Sequence, residues 1–545
     1  MRKRYVPHLV LICLGMMISI GATAVNKETS SRIVPQPNSI TRGSETVIKW
    51  GDPIRVIYDK ELSNEKSFLQ QNLFEGYEEN VVFDIRNTRK LKKQRKGNYI
   101  EITIDKSNKF FKEEGAYILE AKDEHVLITA ADARGIFYGI QSLKQLSEDG
   151  IIESCVITDS PRFQWRGMML DEARFFQGKR EVKKILDEMA YLKMNRFHWH
   201  LTDDAGWRIE IKKYPKLTSV GAYRKDSEAV WWKSGKKLGR AHSGYYTQED
   251  IKEVIAYAKA RHITIIPEIE MPGHAAAAIA AYPWLTASKK QIPVPTRFGK
   301  FKEIYNVSDP RVIEFIHDVL EEVFNLFPSK VVHVGGDEVL YDSWNESKEV
   351  QRYMADQKLK TPSDLQIYFT NNLSKFFEQN NRNMMGWNDI LGDDIHGWQS
   401  KDNLNPSETL SQSTIVHFWK GDPKLIKKTL ERGYKVVNAY HIFTYLDYKP
   451  TKLTLQKMFN YDPVPKGISE DLAKNIMGVS GQMWTEWCPT NCDIERQIFP
   501  RLAALAEIGW TNLDQKHYQN FVTQIPRLEK RWYNKEIRYD RETKY

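Results

Sequence analysis

The chain has 545 residues, of which 41% are hydrophobic and 28% are charged, fractions typical of a folded globular protein and not of a disordered tail. The formal net charge is +9, but the basic residues are scattered along the chain. Their one dense cluster, Arg89 to Lys96, lacks interleaved aromatic residues, so we interpret it as a solvated loop and expect no nucleic-acid partner.

The amino terminus has the pattern of a secretory signal peptide. Three basic residues at positions 2–4 precede the apolar run Leu9 to Ile20, and Ala22-Thr23-Ala24 supplies small residues for cleavage. The run is short for a membrane span, and no later stretch is long enough to replace it. We therefore expect residues 1–24 to be removed and the protein to be exported to a periplasmic or extracellular space, without a membrane span.

Export implies an oxidising compartment for the remaining cysteines. Cys488 and Cys492 are close enough in sequence to pair if their loop bends, which would leave Cys155 alone. Two cysteines without a third or fourth ligand nearby do not suggest a metal site.

Residues 26–160 are predicted to form a small α+β domain. Alternating runs at Tyr99 to Ile104, Gly115 to Ala121 and His125 to Thr129 predict strands, and Ala131 to Leu146 predicts an amphipathic helix. We expect this domain to join the next one near Asp159-Ser160-Pro161. It shows no chemistry of its own.

Residues 161–515 contain eight short apolar segments, each followed by polar or aromatic side chains. They are Trp165 to Leu170, Asn195 to Leu201, Ile263 to Ile269, Val331 to Val334, Asn383 to Met385, Thr414 to Phe418, Tyr434 to Ala439 and Ile476 to Met483. Such segments are typical of buried strands.

Stretches with helical spacing lie between these segments, at Glu181 to Lys193, Gln248 to Arg261, Pro310 to Phe327, Ser363 to Gln379 and Pro423 to Arg432. Thr247 and Asp250 resemble a capping box at the start of the second stretch. The alternation predicts an α/β fold, a (β/α)8 TIM barrel whose active site gathers at the carboxyl ends of the strands. A further helix is expected around Glu495 to Ile508, and residues 516–545 should form a terminal helix or a partly mobile tail.

Two adjacent carboxylates follow the fourth apolar segment. The strand runs into Gly335-Gly336, which lets the backbone turn or approach a ligand closely, and then into Asp337-Glu338. Ionisation of one of two neighbouring acids favours the protonated form of the other, so a proton stays available near neutral pH. Alone, the pair is equally explained by a solvated acidic loop; its place at the end of a barrel strand favours chemistry.

Four ordered blocks resemble the signatures of the family 20 glycoside hydrolases, the β-N-acetylhexosaminidases. The blocks are Arg166 to Arg174, Phe197 to Asp204, Pro267 to His274 and Gly335 to Glu338. The resemblance covers the small domain and the whole barrel. Two departures are Ala205, where the family usually has glutamine, and Asn438-Ala439, which replaces a common Ser-Pro; neither position carries the chemistry.

The resemblance implies an exo-acting retaining glycosidase that removes terminal β-linked N-acetylglucosamine or N-acetylgalactosamine. In such substrate-assisted enzymes the sugar's own 2-acetamido oxygen attacks the anomeric carbon and gives an oxazolinium intermediate. By resemblance, Glu338 protonates the leaving-group oxygen and later activates water, while Asp337 accepts the acetamido N–H. Asp203 and His274 match a relay that orients and tunes Glu338.

The resemblance also implies the residues that bind the sugar. Arg174 matches the position that grips O3 and O4, Glu486 matches the acceptor for O4 and O6, and Asp447 should approach the same edge. An aromatic box and a hydroxyl donor for the acetamido group are matched by Trp387, Trp419, Trp484 and Tyr445. The expected partner is an oligosaccharide or glycoconjugate, with no metal and no cofactor.

Two other functions are compatible with parts of the pattern. A metal cluster of the amidohydrolase kind would use His198, His200, Asp203, Asp204 and His274. Those enzymes place the histidine pair on the first barrel strand, whereas the fifth and sixth strands here end in Trp387 and Trp419. A non-catalytic carbohydrate receptor on the same fold finds no support, because both adjacent acids are present.

Several properties cannot be read from the sequence. The natural glycan, its linkage, the choice between the two hexosamines and the oligomeric state all stay open. The insertion Ser227 to Ser243, with Trp231 and Trp232, either shapes the next subsite or covers the barrel.

Overall fold

A computed structural model describes residues 32–393, 395–396 and 410–542, so the predicted signal peptide lies outside the described residues. The amino-terminal part forms one seven-stranded sheet with parallel and antiparallel pairs. Its strands are Ser39–Lys49, Ile54–Tyr58, Val81–Ile85, Tyr99–Ile104, Tyr117–Lys122, His125–Ala130 and Ile151–Asp159. Its helices are Ser63–Leu73, Leu91–Gln94 and Ala133–Leu146.

These elements confirm the strands and the long helix that the sequence predicts for this region. Asp132 caps that helix, because its side chain accepts a hydrogen bond from the Gly135 N–H. The basic cluster Arg89 to Lys96 was predicted to be a loop, and that prediction was partly wrong: it contains the helical turn Leu91–Gln94. The cluster is tied down by Arg95, which pairs with Glu101 at 2.7 Å.

The second part of the chain confirms the predicted TIM barrel, since eight parallel strands close on themselves. All eight apolar segments form barrel strands, at Trp165–Asp171, Arg196–His200, Thr264–Glu268, Val331–His333, Asn383–Trp387, Ile415–Phe418, Lys435–Asn438 and Ile476–Met483. The eighth strand pairs with the first along six residues, which closes the barrel. Short strand pairs decorate its loops, at Thr202–Asp203 with Gly206–Trp207 and at Tyr223–Arg224 with His242–Ser243.

The five predicted helices are confirmed at Lys179–Tyr191, Gln248–Lys259, Pro310–Leu326, Pro362–Gln379 and Lys424–Glu431. The capping box at Thr247 is present in both directions. Shorter helices lie in the loops, at Lys216–Ser219, Ala276–Ala281, Asp342–Asn345, Lys348–Asp356, His441–Thr444, Leu455–Phe459 and Glu470–Ala473. Within the described residues, none of the helices is both long and apolar enough to cross a membrane.

The carboxyl-terminal region differs from the single helix predicted around Glu495 to Ile508. Two helices, Asn491–Ile498 and Arg501–Trp510, are separated at Pro500. Proline lacks an N–H and its ring clashes with the preceding turn, so one continuous helix cannot pass through this residue. The tail adds two helices, Tyr518–Val522 and Ile525–Asn534, the second of which packs on the barrel.

A buried ion pair joins the two parts of the chain. Nζ of Lys193, which precedes the second barrel strand, lies 3.0 Å from Oδ2 of Asp159 at the end of the small domain, and both side chains are fully buried. The indole N–H of Trp510 donates to the same carboxylate at 3.0 Å. The domains therefore share a polar core at the amino-terminal end of the barrel.

The three cysteines within the described residues are all free thiols. Cys488 is buried, whereas Cys492 is exposed. The pairing that the sequence left open for an oxidising compartment is not present in this structure.

Candidate active site

The predicted site residues all lie at or just after the carboxyl ends of barrel strands, where a TIM barrel places its active site. They are Arg174, Asp203, His274, Asp337, Glu338, Trp387, Trp419, Tyr445, Asp447, Trp484 and Glu486. A chain of contacts joins most of them. Their individual roles stay predictions.

Asp337 is a buried acid with one open oxygen. Its Oδ1 has no hydrogen-bond partner among the described residues, while Oδ2 lies 3.8 Å from Nε2 of His274. Burial raises the pKa of Asp337 to about 8, against the pull of His274 and with help from nearby acids. An unpaired buried acceptor is costly unless a ligand supplies the donor.

Glu338 sits in a constrained backbone. Its φ angle is +52°, a left-handed conformation that non-glycine residues seldom adopt. The Glu338 N–H donates to Oδ1 of Asp389 at 3.2 Å, which holds this turn from the next strand. Its carboxylate is partly exposed and lies 3.2 Å from Nζ of Lys300. Such local strain at a strand end is common where function requires a precise side-chain position.

His274 makes different contacts from the predicted relay. Its Nδ1 is 2.9 Å from Oδ2 of Asp204 and 3.5 Å from Oδ1 of Asp203. Although burial opposes it, the charge of Asp203 and the hydrogen bonds that the imidazole donates to both aspartates raise the pKa of His274 well above its usual value. The other ring nitrogen faces Asp337 and not Glu338. The contacts of His274 therefore include Asp204, which the sequence treats only as a possible metal ligand, while the relay itself stays a prediction.

Arg174 is a buried cation that is surrounded by three carboxylates. One of its terminal nitrogens lies 2.8 Å from Asp203 and 3.9 Å from Glu486, and the other lies 3.3 Å from Asp171. Its guanidinium also lies 4.9 Å from the ring centre of Trp484. Despite burial, these carboxylates raise the pKa of Arg174 further, so the group stays charged.

Aromatic rings form the remaining walls. Trp387 is buried and stacks on His417 with ring centres 4.3 Å apart, while its distance to Trp484 is 6.0 Å. Trp419 lies parallel to Tyr445 at 6.1 Å. Burial raises the pKa of Tyr445 well above its usual value, so its hydroxyl keeps the proton and can donate it in a hydrogen bond.

Asp447 adds a second open acceptor at the mouth. It lies two residues beyond Tyr445, and its Oδ1 is buried without a hydrogen-bond partner among the described residues. Burial, and then the charge of Glu486, raise the pKa of Asp447 well above its usual value. A ligand that donates hydroxyl protons would satisfy this group.

Comparison with known proteins assigns the chain. The family profile described as "Glycosyl hydrolase family 20, catalytic domain" matches residues 163–513, and the profile for domain 2 of the same family matches residues 30–160. The chain belongs to glycosyl hydrolase family 20. The two matches meet near residue 160, between the small sheet domain and the barrel.

Three similar proteins agree with this family. The β-hexosaminidase of Porphyromonas gingivalis is 36% identical over 459 residues, which cover 79% of this chain and 55% of that protein. The β-hexosaminidase of Vibrio furnissii is 35% identical, with 73% of this chain and 65% of that protein covered. The chain thus spans less than two thirds of the length of these two relatives. A structure of the family 20 exo-β-N-acetylglucosaminidase from Vibrio harveyi with N-acetylglucosamine is 29% identical with a TM-score of 0.79, covering 95% of this chain and 79% of that one.

A buried cluster of one glutamate and three histidines beneath the site was not predicted from the sequence of this family 20 chain. Glu268 ends the third barrel strand, and its carboxylate lies 2.8 Å from His198, 2.5 Å from His200 and 2.7 Å from His333. Despite burial, these histidines lower the pKa of Glu268 well below its usual value, and Glu268 raises the pKa of His200 to about 10. The sequence feature that could have indicated this cluster is the position of Glu268 in the block Pro267 to His274, at the end of a barrel strand.

Three buried groups of the described residues have donor atoms spaced closely enough to hold a metal ion. They are His198 with Glu268 and His333, His200 with Asp203 and Glu270, and Asp203 with Asp204 and His274. In the first and third groups these residues form the ion pairs and hydrogen bonds described above, whereas both carboxylate oxygens of Glu270 in the second group have no hydrogen-bond partner among the described residues. The expectation that the site uses no metal stays a prediction.

Two further residues at the site also escaped the sequence analysis. Asp389 holds the Glu338 backbone and accepts from the Trp419 indole at 2.9 Å. The sequence feature that could have indicated Asp389 is its position just after the fifth barrel strand. Lys300 comes from the long loop between the third and fourth strands, and no periodicity marks it.

Proposed function

We propose that the protein is an exo-acting, retaining β-N-acetylhexosaminidase that removes terminal β-linked N-acetylglucosamine or N-acetylgalactosamine from oligosaccharides or glycoconjugates. The observation that carries this proposal is the buried Asp337, with its open Oδ1, beside the more exposed Glu338. The names of the similar β-hexosaminidases support the sugar class, and so does the N-acetylglucosamine bound in the Vibrio harveyi structure.

Exo action follows from the charged wall opposite the acid pair. Arg174 and Glu486 present donors and acceptors that match neighbouring hydroxyls of one sugar ring, and Asp447 offers a further open acceptor. Groups that hold O3 and O4 leave no room for a sugar attached there. The enzyme would therefore release single residues from a non-reducing end.

The reaction begins with a proton transfer from Glu338 to the glycosidic oxygen. The carbonyl oxygen of the substrate's acetamido group forms a bond to the anomeric carbon as the bond to the leaving group breaks, which gives an oxazolinium ion. In the second step the Glu338 carboxylate takes a proton from water, whose oxygen adds to the anomeric carbon and opens the ring. Each of the two displacements inverts the anomeric carbon, so the two together retain its configuration.

Asp337 stabilises the intermediate in this mechanism. Its open Oδ1 can accept the acetamido N–H, and a carboxylate there offsets the positive charge that develops on the oxazolinium ring. Hydrogen bonds between charged partners contribute about 1.5 to 3 kcal/mol. A single general acid suffices because the sugar supplies the nucleophile.

The aromatic box completes the acetamido site. Trp387, Trp419 and Trp484 provide flat apolar surfaces that exclude water, which strengthens every charge interaction inside. The hydroxyl of Tyr445 can donate to the acetamido carbonyl oxygen and keep it aimed at the anomeric carbon. Positioning of this kind accounts for a large part of intramolecular rate gains.

Export is a further part of the proposal. It rests on the basic residues, the apolar run and the small residues within the first 24 positions. An exported glycosidase would meet glycans outside the cytoplasm, such as chitin fragments, host glycans or peptidoglycan pieces, all of which can end in the same sugar.

The test is hydrolysis of chromogenic β-N-acetylglucosaminide and β-N-acetylgalactosaminide by the purified protein and by Glu338→Gln. We expect the wild type to cleave both and the variant to lose roughly 10²–10⁴-fold in kcat/KM, the usual contribution of a general acid. The matched control is Glu346→Gln, an exposed glutamate just beyond the site, which should keep wild-type rates.

Three results would contradict the proposal. Binding of the sugar without turnover would favour a carbohydrate receptor, and activity abolished by a chelator would favour the metal cluster. Hydrolysis of plain β-glucosides at a similar rate would remove the acetamido group from the mechanism.

A further inference from the structure

We propose that Trp232 of the insertion Ser227 to Ser243 stacks on the sugar ring of the leaving group, next to the terminal residue that is released. This inference rests on the proposed function and adds a binding subsite to it. The subsite consists of Trp232, the adjoining ring of Trp487 and the backbone around Lys300.

The insertion is fastened to the loop that reaches the catalytic acid. The buried Glu228 donates its backbone N–H to the Thr296 carbonyl oxygen at 2.7 Å, and its carboxylate accepts from the Phe298 N–H at 3.2 Å. The other carboxylate oxygen accepts from the Lys233 N–H at 2.6 Å. One side chain thus fixes the turn that carries Trp232 against residues 296–298.

Two neighbouring residues connect Trp232 with Glu338. Nζ of Lys300 lies 3.2 Å from Oε1 of Glu338. A Cβ placed on Gly299 would lie 4.0 Å from Cδ1 of Trp232, so the backbone directly before Lys300 lies beside the indole. Consecutive Cα atoms are about 3.8 Å apart, so two adjacent residues of one loop, Gly299 and Lys300, link the indole to the acid group.

Trp232 is held in place and yet largely open. Its ring lies 5.3 Å from the ring of Trp487, nearly perpendicular to it, while 57% of the residue is exposed. Trp487 directly follows Glu486 and is braced by Phe298 at 5.6 Å. An exposed indole of this kind, supported by other rings, is a suitable stacking surface for a pyranose.

The direction of the reaction decides which sugar would stack there. Arg174 and Glu486 hold the hydroxyls of the terminal ring, whereas Glu338 gives its proton to the oxygen of the leaving group. The loop 296–300 meets the site at Glu338. The ring that contacts Trp232 is therefore the next sugar of the chain, not the terminal one.

The experiment compares two substrates with the same terminal sugar. N,N′-diacetylchitobiose has a sugar as its leaving group, whereas methyl β-N-acetylglucosaminide has only a methyl group. We expect Trp232→Ala to lower kcat/KM for the disaccharide about tenfold, the size of one aromatic stacking contact, and to stay within about twofold of wild type on the methyl glycoside. The change should appear mainly in KM.

Trp231→Ala is the matched control. Trp231 lies in the same turn and is 56% exposed, but its ring packs near Lys236 at 5.8 Å. This variant should keep the wild-type ratio between the two substrates. Equal melting temperatures of both variants and the wild type would establish that the fold is intact.

The outcomes separate this inference from the proposed function. If the wild type hydrolyses neither substrate, the proposed function fails. If the wild type hydrolyses both substrates but Trp232→Ala leaves the ratio of their kcat/KM values unchanged, the subsite is wrong while the activity stands. The same conclusion follows if Trp231→Ala lowers this ratio as much as Trp232→Ala does.

Discussion

At the scale of single residues, the burial of Asp337 makes ionisation of its carboxyl group unfavourable for stability. Its burial raises its pKa to about 8 from an ordinary value of 3.8, so the folded state holds a proton that the unfolded chain has released at neutral pH. The stability from this proton is fully present below about pH 4 and is lost as the pH rises through 8, because ionisation then charges a buried group. The ionised form, which the proposed mechanism requires, is therefore the less stable form of this carboxylate.

We predict that Asp337→Asn becomes more stable than the wild type as the pH rises from 4 to 8, while its hydrolytic rate falls by orders of magnitude. Asparagine stays neutral, so the variant avoids the cost of charging the site, a difference on the order of 2–4 kcal/mol at pH 8. Urea unfolding at several pH values measures the effect. Asp356→Asn removes an exposed carboxylate and should follow the wild type; parallel curves for Asp337→Asn would contradict the prediction.

The sequence predicts which residues lie at the site better than it predicts which of them contact one another. Asp337 and Glu338 stand out because they end a buried strand, and the strand ends of a barrel converge. The partner of His274 could not be predicted in the same way, since Asp203 and Asp204 are adjacent in sequence. Which of the two lies nearer to the imidazole depends on the contact of Asp203 with Arg174, a tertiary contact that no sequence period indicates.

At the scale of elements, the fourth barrel strand requires glycine at its end. Gly335 has a φ angle of +66°, and a Cβ on it would lie 1.6 Å from Oε2 of the buried Glu270. Burial, and then Asp337, raise the pKa of Glu270 well above its usual value. The Glu270 side chain is enclosed by other residues, so its carboxylate has little space to move away from a Cβ at position 335. The turn into the acid pair thus depends on the absence of a side chain.

We predict that Gly335→Ala lowers the free energy of unfolding by roughly 3 kcal/mol or more and abolishes hydrolysis, because strain and overlap with Glu270 act together. Gly467→Ala is the control, since Gly467 has a similar φ of +82° but no atoms within 4 Å of a Cβ. That variant should lose only about 1 kcal/mol and keep its activity. Equal losses of unfolding free energy in the two variants would show that the overlap with Glu270 contributes nothing. Thermal unfolding and an activity assay measure both.

The elements that the sequence predicts well are those with strong periodicity. All eight barrel strands are apolar runs between polar loops, and the five predicted helices have regular spacing. The helix around Glu495 to Ile508 was predicted as one because its apolar pattern continues across Pro500, although the proline breaks its backbone. Loop residues such as Lys300 follow no period, so their positions need the folded structure.

At the scale of the whole molecule, the sequence separates two regions by their strand and helix patterns and predicts a join near Asp159, but it does not predict the contacts between them. The joint is the ion pair of Asp159 and Lys193, with Trp510 from the last barrel helix against both. Burial lowers the pKa of Lys193, although Asp159 opposes that shift. Each partner is isolated in the sequence, and only the closed barrel brings the three residues together.

We predict that Asp159→Asn lowers the free energy of unfolding by about 3 kcal/mol, because removal of one charge leaves Lys193 buried without a counter-charge. The pair lies at the amino-terminal end of the barrel, so kcat/KM at 25 °C should stay close to wild type in the folded protein. The control is Asp471→Asn, which breaks an exposed pair with Lys474 at 2.8 Å and should leave the unfolding curve unchanged. If Asp159→Asn matches that control, the buried pair does not stabilise the union of the two domains, and the surrounding apolar packing must do so alone.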